Sequence, residues 1–207
     1  MLKRNFKNII FDLGEVIIDV DENRTLEAFR ELAANGIDPA IAFNDRLGFF
    51  QEIETGKISH DAFRREIRST LNSNLTNQQI DDAWCAMLVD VPEKRCQLLR
   101  DLKNSYNTFA LSNTSPVHIE WLNAFLEKKF GITSLDSLFS KAYYSFDIAL
   151  RKPDNAVFQV VIDENNLEVE KTLFIDDKLE NILAAQKIGL QTFHLTDKND
   201  LFGIFYG

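Results

Sequence analysis

The sequence predicts an α/β fold: a parallel sheet flanked by helices, with a small helical bundle inserted near its start. Three observations carry this. Short apolar runs rich in β-branched and aromatic residues recur, and each stops at a polar cluster. Amphipathic stretches with helical spacing lie between them. One block, residues 19–90, breaks the alternation with helical periodicity and no convincing strand. Strand and helix in turn imply right-handed crossovers, and so a parallel sheet.

The first strand is Ile9-Ile10-Phe11, an apolar run that ends at Asp12. In an open parallel sheet the carboxyl edge of the strands is where ligands bind. A carboxylate set there by a rigid strand is a candidate nucleophile or metal ligand; as a bare strand end it is equally a helix cap. The inserted block then gives four helical stretches. Asn23 to Ala33 places Leu26, Phe29 and Ala33 at helical spacing, and Ile41 to Phe50 gives a second apolar face. Ser59 caps a third helix that carries Phe63, Ile67 and Leu71. Thr76 caps a fourth with Ile80, Ala83, Trp84 and Met87. Four helices with short loops read as a small bundle, placed where it can cover the ligand edge.

The remainder alternates. Pro92 to Lys103 is a helix with proline at an early position. Thr108 to Leu111 is a strand ending at Ser112-Asn113-Thr114, followed by a helix over Pro116 to Lys129. Lys141 to Phe146 reads as a strand and Asp154 to Asn165 as a helix opening after Arg151-Lys152-Pro153. Thr172 to Ile175 is a strand ending at Asp176-Asp177, and Leu179 to Ile188 is a helix stopped by Gly189. Gln191 to Leu195 is the last strand.

A chain of 207 residues with 45% apolar side chains and only 8 glycines and 4 prolines has the size and core of one α/β domain with a modest insertion. The formal net charge of -9 argues against nucleic acid or an anionic membrane as partner. Any bound phosphate then needs a local cation. Cys85 and Cys96 form no disulfide framework, which fits a reduced cytoplasm. Lys3 and Arg4 before an apolar run resemble the start of a signal peptide, but Asp12 and Glu15 interrupt it. No stretch approaches the roughly 20 apolar residues of a membrane span.

Asp12, Ser112 with Thr114, Lys152, and Asp176-Asp177 with Asn181 fall in order along the chain and on one sheet edge. That set suits phosphate chemistry. Carboxylates hold Mg²⁺ through hard oxygens. A metal and a lysine neutralise the transferring group. Hydroxyls and turn amides hold its oxygens. One aspartate can attack and carry the phosphoryl group.

These four clusters resemble the motifs of the haloacid dehalogenase superfamily: Phe11-Asp12-Leu13-Gly14-Glu15-Val16, Leu111-Ser112-Asn113-Thr114, Arg151-Lys152-Pro153, and Phe174-Ile175-Asp176-Asp177 with Asn181. The forms are most similar to the branch holding bacterial sugar-1-phosphate phosphatases and the N-terminal phosphatase domain of soluble epoxide hydrolases. The resemblance implies a Rossmann-like core over residues 1–18 and 91–207 and a helical cap over 19–90. It also implies a Mg²⁺-dependent phosphatase of a small phosphorylated metabolite such as a sugar phosphate. By position, Asp12 matches the nucleophile and a metal ligand, and Gly14 a backbone-carbonyl ligand. Asp177 matches the direct metal ligand, with Asp176 and Asn181 in support. Ser112, Asn113 and Thr114 match the phosphate-binding turn. Lys152 matches the residue that steadies nucleophile and phosphate.

One position departs. The second aspartate of the first motif, the family's usual general acid, is Gly14 here. Such acids contribute about 10²- to 10⁴-fold. Glu15, Asp19, Asp21, a cap residue or water are the candidates to replace it, and without one the enzyme should favour activated leaving groups such as anomeric sugar phosphates. Two other readings compete. A haloacid dehalogenase would use the same nucleophile on carbon, but it needs no metal, which counts against it given Asp176-Asp177. A non-catalytic binding or regulatory protein is favoured only by Gly14. His118 reads as structural more than catalytic, Trp84 and Trp121 as packing, and both cysteines as inert.

Overall fold

The computed structural model describes residues 5–34, 36–44 and 47–206, so Lys3, Arg4 and positions 45–46 of the expected Ile41–Phe50 face lie outside the described residues. The central strand β1 (Asn8–Phe11) is buried along its length. It pairs in parallel with β4 (Asn107–Ser112) on one side and β6 (Thr172–Asp176) on the other. With β5 (Lys141–Tyr144) and β7 (Gln191–His194) the sheet runs in the order β5-β4-β1-β6-β7.

Strand periodicity splits the core in two. Ile9, Phe11, Ala110, Leu173 and Ile175 face one side, with Leu99 of α6 (Glu93–Lys103) and Leu122 of α7 (Pro116–Phe130). Ile10, Phe109, Leu111 and Phe174 face the other, with Phe158 of α9 (Asn155–Asn165) and Ala185 of α10 (Leu179–Lys187). Side chains buried on both faces explain the continuous apolar strands. The chain runs outward from β1 through β4 to β5, then returns to β6 and β7. The switch point therefore falls between β1 and β6, where open α/β sheets bind ligands.

The block between β1 and β4 is helical, with two differences from expectation. Its described helical segments are α1 (Glu22–Leu32), α2 (Pro39–Asn44), α3 (Leu47–Glu54), α4 (His60–Thr70) and α5 (Asn77–Cys85). Helices α2 and α3 cover the described part of the expected Ile41–Phe50 face, and Met87 lies beyond α5. The block is also bounded by a two-stranded antiparallel ladder, β2 (Asp19–Val20) with β3 (Leu88–Asp90). Ser59 and Thr76 cap α4 and α5 as expected, Thr76 within a reciprocal capping box with Gln79. Arg64 ties the last two helices with paired bonds to Asp81 of 3.0 and 2.7 Å. Phe29, Phe63 and Trp84 from the insert join the same apolar cluster as Phe11.

The strand expected over Lys141 to Phe146 stops at Tyr144. Ser145 Oγ accepts the Thr114 N–H at 3.0 Å and donates to the Thr114 carbonyl at 3.2 Å. This turns the chain into the short helix α8 (Ser145–Ile148). A terminal helix, α11 (Asp200–Tyr206), covers the sheet face with Leu201 and was not anticipated. Among the described residues no helix is long and apolar enough to cross a membrane.

Candidate active site

Parallel pairing brings the separated motifs to one edge. Asp12 follows β1 and its N–H donates to the Ile175 carbonyl at 2.9 Å, which sets it beside Asp176 at the end of β6. Ser112 ends β4. Lys152 enters from the loop before α9 and is only 2% exposed. Its Nζ lies 2.8 Å from Asp12 Oδ1 and 2.7 Å from Asp176 Oδ2. Asp12 Oδ1 also accepts the Leu13 N–H at 2.7 Å. Among the described residues nothing donates to Asp12 Oδ2. One oxygen of this carboxylate is held and the other accepts from none of the described residues.

The third-motif lysine is itself held. Asn113 Nδ2 donates to the Lys152 carbonyl and Asn113 Oδ1 accepts the Lys152 N–H, both at 2.9 Å. Both ends of the Asn113 amide are thereby committed to the lysine backbone. Ser112 and Thr114 are buried and line the opening.

The turn after Asp12 is bound tightly. Leu13 O accepts from Ile17 N and Ile18 N at 2.8 Å, and Gly14 O accepts from Val16 N at 2.7 Å. Glu15 takes a positive φ of 57°. Its Oε1 accepts the Val20 N–H at 2.6 Å and its Oε2 meets Lys198 Nζ at 2.7 Å. Lys198 and the buried Arg95 both reach Asp19 Oδ1 at 3.0 Å.

Asp176 has no exposed surface and accepts from Lys152, from Asn181 Nδ2 and from the Lys178 N–H. Burial lifts the Asp12 carboxyl to about 6; Lys152 draws it down and Asp176 pushes it up. Burial would lower the Lys152 ammonium, but the facing Asp12 and Asp176 outweigh it and hold it above its usual value. Asp177 is raised, first by burial and then by Asp176. Three carboxylates around one lysine leave an excess of negative charge, which a cation relieves.

The residues fit such a cation. Asp12, Asp176 and Asp177 offer oxygens within 4.8 Å of one another. Asn181 Oδ1 is buried with no partner, because the amide nitrogen is spent on Asp176. An unpaired buried acceptor beside an all-oxygen cluster matches a hard divalent ion and its water ligands.

Above the edge opens a cavity of about 650 Å³ that reaches from Asp12 into the insert. One wall is aromatic. Phe50 stacks on Trp84 at 5.3 Å and Trp84 on His118 at 5.0 Å. His118 is buried, and burial pulls its pKa down to about 4. Its Nε2 lies 3.2 Å from the Trp84 carbonyl, which can only accept, so Nε2 carries the proton of a neutral ring. The cavity also takes in Glu54 at the end of α3, paired with Arg151 at 3.2 Å. Sequence reasoning missed Glu54 and Arg151 as lining residues. Glu54 lies in an ordinary amphipathic helix, and only the packing of that helix over the sheet edge brings it into the cavity that Asp12 also lines.

Fold and site together define an α/β enzyme whose sheet edge gathers a carboxylate, a lysine and an acidic cluster able to hold a cation. The family model for haloacid dehalogenase-like hydrolases matches residues 6–189, and the chain belongs to that family. It is 31% identical over 187 residues to the D-ribitol-5-phosphate phosphatase of Bacteroides thetaiotaomicron, covering 90% of each chain. It is 26% identical over 205 residues to the sesquiterpene phosphatase of Aspergillus oryzae, covering 93% of this chain and 91% of that protein. A haloacid dehalogenase family enzyme of Bacteroides thetaiotaomicron, solved with magnesium and inorganic phosphate, superposes with a TM-score of 0.81 at 31% identity over 91% of this chain and 93% of its own.

Proposed function

We propose that this protein is a Mg²⁺-dependent phosphatase of a small phosphorylated metabolite of the sugar or polyol phosphate kind, acting through an aspartyl phosphate on Asp12. The observation that carries the reading is the Asp12 carboxylate, with one oxygen pinned by Lys152 and the Leu13 amide and the other open to a large cavity. The relative named for ribitol 5-phosphate and the related structure holding magnesium and phosphate support it. We take residues 1–18 and 91–207 as the catalytic core and 19–90 as its cap. Two unpaired cysteines agree with a cytoplasmic setting.

Asp12 Oδ2 attacks phosphorus in line with the departing ester oxygen. Ser112 Oγ and the turn at Thr114 hold the non-bridging oxygens. Lys152 keeps Asp12 oriented and balances charge on the phosphoryl group. Mg²⁺, held by Asp12, Asp177 and the Gly14 carbonyl, supplies charge neutralisation when bound. Water then attacks phosphorus, the bond to Asp12 breaks, and inorganic phosphate leaves. Asp176 fixes Lys152 and, through Asn181, the first turn of α10.

Asp12→Asn tests the covalent step. The amide is nearly isosteric but a poor nucleophile. The expected result is loss of hydrolysis with an unchanged circular dichroism spectrum, and loss of the phosphoryl adduct on the Asp12 peptide after acid quench. Hydrolysis at the wild-type rate in this variant overturns the mechanism.

A further inference from the structure

Gly14 leaves the departing oxygen without the acid that the family keeps two residues after its nucleophile. The three carboxylates nearest in sequence are all committed elsewhere. Glu15 is held by the Val20 amide and Lys198. Asp19 is held by Lys198 and Arg95, and its carboxyl stays below the usual range despite some burial. Asp21 accepts the Asn23 amide at 3.1 Å as the cap of α1. His118 is neutral and its N–H points at the Trp84 carbonyl, so it has no proton to offer a substrate.

Among the described residues the carboxylates lining the cavity are Asp12, Glu15, Glu22, Glu54 and Asp177. Asp12 and Asp177 belong to the phosphate and cation side, Glu15 is occupied, and Glu22 is exposed on the first turn of α1. Glu54 alone is half-buried, faces the cavity from the cap side and lies outside the cation cluster. Arg151 holds only its Oε2, and no described residue donates to its Oε1, whereas both oxygens of Glu15 are taken. Arg151 is the chain neighbour of Lys152. The loop that fixes the nucleophile's lysine therefore also fixes the position of Glu54.

We propose that Glu54 is the general acid and base of the reaction, donating to the leaving oxygen from the cap where Gly14 cannot. The proposal rests on the phosphatase reading above. As the Asp12–phosphorus bond forms, the ester P–O bond breaks and its electron pair stays on the leaving oxygen, which takes the Glu54 proton. The Glu54 carboxylate then takes a proton from the water that attacks phosphorus, and is ready for the next turnover. Protonation before attack is favoured by burial, which raises the Glu54 carboxyl; Arg151 and Lys178 draw it down and Glu22 adds to the rise. A primary alkyl ester, such as a polyol 5-phosphate, needs this proton most.

The test measures kcat/KM with Mg²⁺ for p-nitrophenyl phosphate, glycerol phosphate and ribitol 5-phosphate. The enzymes are wild type, Glu54→Gln, Gly14→Asp and the double variant. Glu54→Gln should lower the alkyl esters by about 10²-fold or more and the aryl ester far less, so that rate depends more steeply on leaving-group pKa. Gly14→Asp should restore the alkyl esters in the Glu54→Gln background. Position 14 accepts a Cβ, which meets Val20 Cγ2 at an ordinary 3.7 Å. Equal loss on aryl and alkyl esters, or no rescue by Gly14→Asp, would mark Glu54 as a structural latch and overturn the proposal. A wild-type enzyme that hydrolyses none of the three overturns the phosphatase reading itself.

Discussion

Asn113 gives up both ends of its amide to the Lys152 backbone. Removing it leaves a buried N–H and C=O without partners and frees the lysine that orients Asp12. Asn113→Ala should lower stability by roughly 1–3 kcal/mol. It should also cut kcat more than KM, as read from thermal melts and steady-state kinetics. His118 makes a pH prediction. Its folded pKa of about 4 lies below the ordinary 6.5, so between these values the unfolded chain binds more protons than the folded one. Stability from this residue is complete above the upper value and falls as pH drops through the window, by up to about 3 kcal/mol. His118→Phe should therefore lose least against wild type at pH 4 and most at pH 7 in urea melts. At this scale much of the site was legible in the sequence. An acid ending an apolar strand can be read locally, as Asp12 and Asp176 were. The clamp of Asn113 on Lys152 and the reach of Glu54 could not be read, because each joins segments far apart in the chain and leaves no periodic trace.

The elements follow the same logic. Long amphipathic helices and buried strands were visible because burial imposes a period on their sequence. The β2–β3 ladder was missed because two or three half-buried residues carry no period, and β5 was read too long because Ser145 ends it through a hydrogen bond with Thr114. The loop after α3 carries its own constraint. Gly56 has a φ of 66°, and a Cβ there would lie 2.5 Å from the Phe146 carbonyl oxygen. Gly56→Ala should cost roughly 1–3 kcal/mol, and more if α8 cannot move, measured as a drop in melting temperature. It should also disturb the Glu54–Arg151 pair just beside it, lowering alkyl-ester turnover in the surviving folded fraction. In the turn after Asp12, Arg95 is buried against Asp19 and the Ile17 carbonyl. Arg95→Met strands the Ile17 carbonyl and leaves Asp19 to Lys198 alone, and a loss of about 1–3 kcal/mol is expected in denaturant melts.

At the scale of the whole molecule, a formal charge of -9 and a buried acidic cluster make the folded protein a better home for a divalent cation than the unfolded chain. Mg²⁺ should raise the melting temperature, with about 2.7 kcal/mol of added stability at a hundredfold excess over its dissociation constant. Asp177→Asn should abolish most of that shift. Differential scanning fluorimetry with and without chelator checks both. The ladder that bounds the insert reaches further still. Asp19 lies opposite Asp90, so the chain leaves the sheet and comes back at one point. Topologically the excursion is a closed loop: cutting it out and exchanging it requires no rethreading of the five-stranded sheet. Recombination at this neck would set a different chamber over an unchanged Asp12, Lys152 and acidic cluster.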